Sequence, residues 1–213
     1  VEDLRQLPAG NGQGALFEVS DERGERYAGH TLILTTGTSL AGRLLTGDRS
    51  EPGGRRGERA ATKLSEALRR LGFRLGRLKT GTPPRVRAAS IDFSATELQP
   101  GSSAPLRFSF GPPADPAPFP RPNPAFPSAQ LDGWRPQLPC YLVHTNAETH
   151  AAIRRNLHRA PMYNGSITGV GPRYCPSIED KVVRFADKPS HGLFLEPEGW
   201  ETDEVYVQGA NTS

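Results

Sequence analysis

Cysteine is scarce in this chain. Two thiols in 213 residues, Cys140 and Cys175, are too few for the disulfide framework of a small secreted protein. No apolar run approaches the roughly 20 residues that cross a bilayer as a helix, and no leader of the charged-then-apolar kind opens the sequence. The expectation is therefore a soluble protein of a reducing compartment, with no membrane partner. Three phosphate and catalytic fingerprints are also missing: Gly-x-Gly-x-x-Gly, Gly-x-x-x-x-Gly-Lys-Ser/Thr and Gly-x-Ser-x-Gly. Cys140 and His144 have the spacing of half a metal site, but no Cys-x-x-Cys completes it, so no metal is expected. On a strand, Cys140, Leu142 and His144 share one face, and His144 reads as a hydrogen-bonded structural histidine.

Glycine and proline are plentiful, at 23 and 21 residues, which implies much irregular backbone around a core supplied by 35% hydrophobic residues. Twelve of the prolines fall between residues 100 and 139. That density forbids helix or central strand, and the stretch reads as a solvated surface excursion. A net charge of +3 permits an anionic partner such as RNA or a dinucleotide without requiring one. The sequence begins at Val1 without a methionine and stops just after a strand-like Val205–Val207, so a piece of a longer protein is expected.

Alternation in residues 15–19 predicts a half-buried strand, and Asp21–Gly24 a turn into a second strand at 25–30. Thr31–Thr36 is a continuous apolar run ending at Gly37, the pattern of a strand buried on both faces, whose carboxyl end is where α/β sheets place ligands. Residues 41–59 read as a loop. Leu64, Leu68 and Leu71 recur at helical spacing, with Thr62 as N-cap and Gly72 as stop. A strand at 73–78 and a rigid turn at 79–85 follow. Order resumes at Pro139–Asn146, then a helix with capping-box spacing at Thr145 and Glu148, Ile153 and Leu157 on one face, and Arg154, Arg155, His158 and Arg159 near its end. Strands are expected at 192–195 and 204–207.

The segment Gly171-Pro-Arg-Tyr-Cys-Pro-Ser-Ile-Glu-Asp-Lys181 concentrates chemistry. Pro172 and Pro176 stiffen the backbone around Cys175, and Arg173 would favour its thiolate, the nucleophilic form. A solitary cysteine also reads as a small buried hydrophobe. Both readings stand on the residues alone, and no phosphate-cradling helix start is evident beside the thiol.

Four motifs carry a resemblance: Gly76-Arg-Leu-Lys-Thr-Gly-Thr-Pro-Pro-Arg85, Pro139-Cys-Tyr-Leu-Val-His-Thr-Asn146, the stretch from Gly169 to Phe185, and Phe194-Leu-Glu-Pro-Glu-Gly199. They resemble, in order, the middle of the glucose-inhibited division protein A (MnmG) family, the large flavin-dependent subunit of a tRNA wobble-uridine modification enzyme. The resemblance implies an α/β fold: the edge of a Rossmann-like FAD-binding domain over residues 1–76, an inserted nicotinamide-nucleotide-binding α+β domain over 77–200 carrying the Pro-rich loop 100–138, and a return toward the FAD domain over 201–213.

By the same resemblance, Val1, Thr36, Gly37 and position 61 would meet FAD. Ala61 stands where the family has a serine, which removes a polar contact. Gly171, Pro172, Arg173, Tyr174, Cys175, Pro176, Ser177, Ile178, Glu179, Asp180, Lys181 and Phe185 match the segment assigned to NADH, with Cys175 catalytic. Arg154, Arg155, Arg159 and Lys188 are candidates for a tRNA-facing surface. The implied reaction adds an aminomethyl or carboxymethylaminomethyl group to uridine carbon 5, with methylenetetrahydrofolate as one-carbon donor. The implied partners are tRNA, an MnmE-type GTPase and a second copy of the same subunit, in the bacterial cytoplasm or, alternatively, in mitochondria. A folate-dependent tRNA methyltransferase and a non-catalytic dinucleotide- or RNA-binding module are the competing readings.

Overall fold

The computed structural model describes residues 1–8, 16–37, 39–47, 49–54, 57–104, 106, 110–111, 123–126, 137–167 and 176–212. The chain divides into two compact units, Val1–Thr80 with Pro161–Tyr174 and Gly81–Ala160 with Cys175–Ser213.

In the first unit, strands β1 (Asp3–Leu7), β2 (Leu16–Ser20) and β3 (Arg26–Gly29) form an antiparallel sheet in chain order. The expected hairpin is β2–β3. Its turn is closed by the Asp21 carboxylate, which accepts the N–H groups of Arg23 and Glu25 at 2.8 and 3.0 Å, an Asx arrangement native to short polar turns. Helix α1 (Thr62–Arg70) buries Leu64, Ala67 and Leu68 against Leu4 of β1. Its charged flank adds ion pairs from Lys63 to Glu2 and from Arg70 to Asp3.

Several expectations for this unit need correction. Thr62 is the first helical residue of α1 and Ala61 its N-cap, with no side-chain cap. Gly72 does end the helix. At φ +87° its N–H reaches Arg69 O while that of Phe73 reaches Leu68 O, the 5→2 and 6→1 bonds of a Schellman ending that favours glycine. Residues 41–59 are not all loop: β4 (Arg43–Thr46) and β5 (Arg49–Pro52) form a hairpin. At its base a Cβ on Gly42 would run into the Gly53 carbonyl, so close approach requires glycine there. Thr31–Thr36 forms no strand. Leu32 packs on the α1 cluster, but Ile33 is 80% exposed. Residues 73–78 are likewise irregular and exposed. An apolar run becomes a central strand only when neighbours pair with it on both sides, and none of the described residues does so for either segment.

The second unit is built on a five-stranded antiparallel sheet. Its strands are β6 (Arg85–Arg87), β7 (Glu97–Gln99), β8 (Cys140–His144), β9 (Gly192–Pro197) and β10 (Glu204–Gln208), in the order β6-β10-β9-β8-β7. Alternation sends Tyr141, Leu195 and Val205 into a core with Ala88 and Phe126. Phe93 adds a ring 4.6 Å from that of Tyr141.

Phe126 corrects the view of the Pro-rich excursion as a mere spacer. It is 3% exposed, and Asn123 holds its turn by donating from Nδ2 to Thr202 O at 2.8 Å. Helix α2 (Ala147–Asn156) starts from Asn146, whose Oδ1 accepts the Thr149 N–H at 2.9 Å, so the cap is not Thr145 with Glu148. The α-helix ends at Asn156, and Leu157 opens a 3-10 turn. A third helix, α3 (Ile178–Arg184), packs against α2. It was not foreseen.

Candidate functional site

Helix α3 begins three positions beyond Cys175. Ser177 caps it in a reciprocal box: the Asp180 N–H donates to Ser177 Oγ at 3.2 Å, and the Ser177 N–H donates to Asp180 Oδ2 at 3.1 Å. Glu179 and Asp180 fill the first turn and Lys181 and Arg184 the last, matching the helix dipole. A helix start therefore lies next to the thiol segment after all. The signature Ser-x-x-Asp was present at 177–180 and could have marked it.

The described part of the segment is mostly turned inward. Ser177, Ile178, Glu179 and Asp180 are buried, with Ser177 and Asp180 engaged by the cap. Pro176 and Phe185 are exposed and Lys181 is half-buried. Lys181 Nζ donates to Gly209 O at 2.9 Å, fixing the ammonium at the end of β10. Gly171, Pro172, Arg173, Tyr174 and Cys175 lie outside the described residues.

Beside α3 is a polar cluster that sequence reading missed. The Thr145 N–H donates to His191 O at 3.0 Å, and the His191 N–H returns to Thr145 Oγ1 at 2.8 Å. Thr145 Oγ1 also meets His150 Nε2 at 2.8 Å. The two imidazoles lie 5.2 Å apart. Burial, then His150, Lys181 and Lys188, hold the His191 ring below the usual imidazole range. The structural histidine bonded by its side chain is thus His150, while His144 is exposed at the strand end. Cys140 is partly buried, and burial, aided by Glu196, pushes its thiol up, away from reactivity.

In the first unit Val1, Thr36, Gly37 and Ala61 are all exposed. Ala61 bridges Leu40, and its carbonyl accepts the Ala41 N–H at 3.0 Å. Gly37 has φ +60° and open space around it. Among the described residues no backbone hydrogen bond engages Ile33–Gly37, so those main-chain groups are open to a ligand. Arg154, Arg155, Arg159 and Lys188 are exposed; Lys188 Nζ sits 5.3 Å from the centre of the Phe185 ring.

The family model of glucose inhibited division protein A matches residues 4–213. The chain belongs to that family. It is similar to the tRNA uridine 5-carboxymethylaminomethyl modification enzyme MnmG of Chloroflexus aurantiacus, at 60% identity over 99% of this chain and 34% of the relative. The MnmG of Syntrophomonas wolfei shares 50% identity over 100% of this chain and 30% of the relative. Two crystal forms of Aquifex aeolicus GidA share the fold, at 40% and 39% identity with TM-scores of 0.74 and 0.75, over 100% of this chain and 33% and 31% of theirs. The chain thus spans about a third of the length of the GidA relatives it matches.

Proposed function

We propose that the full-length parent of this chain modifies carbon 5 of a wobble uridine in tRNA, with FAD, NADH and methylenetetrahydrofolate as cofactors and Cys175 as nucleophile. The observation that carries this reading is the 60% identity over 99% of the chain to a protein named as a tRNA uridine 5-carboxymethylaminomethyl modification enzyme. The bacterial relatives favour a cytoplasmic setting. An MnmE-type GTPase and a second copy of the same subunit complete the proposed assembly, and the Rossmann-like character of residues 1–76 belongs to the same proposal.

Uracil carbon 5 is a weak nucleophile. Addition of the Cys175 thiolate to carbon 6 gives carbon 5 enolate character. After carbon 5 has formed its new bond, loss of its proton expels the thiolate and restores the ring. When bound, FAD reduced by NADH supplies the one-carbon unit drawn from methylenetetrahydrofolate. Val1, Thr36 and Gly37 would hold it through main-chain groups, which the open backbone at 33–37 fits, while Ala61 adds no polar side chain. Lys181 and Phe185 would meet NADH, with Ser177 and Asp180 securing the helix that carries them.

The test is Cys175→Ser in the full-length protein. The hydroxyl is far less ionised than a thiol near neutral pH, so modification should be lost while FAD stays bound and reducible by NADH. tRNA carrying 5-fluorouridine at the wobble position should trap the wild type covalently and not the variant. Near-normal turnover by Cys175→Ser would remove Cys175 as the nucleophile.

A further inference from the structure

We propose that Lys181 is a positioning residue that fastens α3 to the exit of β10 and thereby sets the Cys175 thiol for attack on the uridine. The proposal rests on the reading of Cys175 as the nucleophile.

Two bonds, one helical turn apart, seat α3 on the chain that leaves β10. The N–H of Ile178, the first residue of the helix, donates to Asn211 O at 2.7 Å. Such an N–H has no partner within its own helix. Lys181 Nζ donates to Gly209 O at 2.9 Å, and residues three apart share a helix face. One bond alone would leave a pivot, whereas the pair fixes both the place of α3 and its rotation. Gly209 suits this close approach. It has φ +94°, and a Cβ there would stand 3.3 Å from Lys181 Nζ, 3.2 Å from Leu193 Cδ2 and 3.4 Å from Gly192 O. The seat is itself tied to the sheet: the Val207 N–H donates to Pro84 O at 3.0 Å, and Thr212 bridges Thr82.

The seat bears on Cys175 through a short length of chain. The three steps from Cys175 to Ile178 span at most about 11 Å when fully extended, and the ring of Pro176 locks its φ. Ser177, the next residue, is fully buried and committed to the cap. A shift or roll at Ile178 is therefore passed on to the thiol. Attack needs near-contact geometry with carbon 6, and a misplacement of about 1 Å can cost on the order of 100-fold in rate. The lysine ammonium carries three N–H donors, so the tie to Gly209 leaves others for the phosphate of the nucleotide reading.

The experiment measures how fast the full-length protein is trapped by tRNA carrying 5-fluorouridine at the wobble position. The tRNA is saturating, methylenetetrahydrofolate is supplied, and the flavin is reduced chemically so that NADH plays no part. Lys181→Met keeps a stem of similar length and removes the donor. It should slow trapping about tenfold, the scale of one lost bond from a charged donor, with tRNA affinity and flavin content unchanged. Lys181→Arg restores a donor within reach of Gly209 O and should recover most of the rate. Hydrogen exchange at the Ile178 amide should quicken in the methionine variant and not in the arginine one. Wild-type trapping speed in Lys181→Met overturns the proposal, and a raised KM for NADH beside it would leave Lys181 a phosphate ligand only. Equal slowing in both variants means a packing role and overturns it too. Cys175→Ser separates the two levels. If that variant modifies tRNA at a near-normal rate, the nucleophile reading fails and the proposal falls with it. If it is inactive while Lys181→Met traps normally, only the positioning role fails.

Discussion

Ser177 and Asp180 cap each other: the hydroxyl accepts the Asp180 N–H at 3.2 Å and the carboxylate accepts the Ser177 N–H at 3.1 Å. A seven-residue helix is too short to persist on propensity in water. What holds α3 is this cap, the dipole-matched charges at its ends, and the burial of Ile178 and Val182. The helix is thus a rigid element pinned at its start, and the Cys175 segment leads directly into that start.

Ser177→Ala should loosen α3 without unfolding the protein. Losing an N-cap hydroxyl costs about 1 kcal/mol, so local opening of the helix should become about fivefold more frequent. Hydrogen exchange on the full-length protein reads this directly at the Lys181–Arg184 amides, with the β9 amides as an internal control. Equal exchange in both proteins would mean that packing alone holds the helix.

Phe126 and Phe110 lie in the same Pro-rich span and should behave oppositely. Phe126 is enclosed with Tyr141, Leu195 and Val205, and Phe110 is fully exposed. Removing a buried phenyl ring costs roughly 3–5 kcal/mol, whereas an exposed one changes stability by less than about 0.5 kcal/mol. Thermal unfolding of the two alanine variants should therefore separate them clearly. Similar midpoints would return the whole span to the role of a spacer.

The strands around β8, β9 and β10 were legible because alternating apolar residues leave a period of two, as in Tyr141, Val143, Leu193, Leu195, Val205 and Val207. Helix α1 was legible through Leu64, Leu68 and Leu71. The capping errors came from neighbouring candidates: Thr145 and Asn146 both suit an N-cap, and only the fold shows Thr145 committed to His191 and His150. Ile33 and Leu34 read as a central strand because hydrophobicity signals burial without naming the neighbour that provides it. The histidine cluster joins residues 145, 150 and 191 across elements, a proximity that no local pattern encodes. The family motifs marked the Cys175 segment, but its inward-facing half, Ser177–Asp180, became visible only with α3.

Expressed alone, the 213-residue chain should not purify with stoichiometric flavin. Main-chain groups at 33–37 are open, but Ile33 and Leu34 are exposed and no described strand pairs with them. A sheet edge without its neighbours is a poor frame for a bound cofactor. Absorbance of the purified chain near the flavin bands is the measurement, and a one-to-one yellow complex would refute the expectation.

The last prediction concerns the basic end of α2. Arg154 and Arg155 are exposed in its final turn. Compensation of the helix dipole accounts for such residues at a gain of only about 0.3–1 kcal/mol, and it makes no demand on RNA. A tRNA-facing role makes a different demand. Each phosphate neutralised releases counterions, so the logarithm of affinity falls linearly with the logarithm of salt, at about 0.7–0.9 per contact. Arg154→Glu with Arg155→Glu in the full-length protein should then weaken tRNA binding and flatten that slope by roughly 1.5 if both contact phosphates. Reversing Lys188, which stands over the Phe185 ring, supplies an independent third point. If binding weakens at every salt concentration but the slope is unchanged, the arginines act through helix stability. An unchanged affinity and slope return them to the solvated surface.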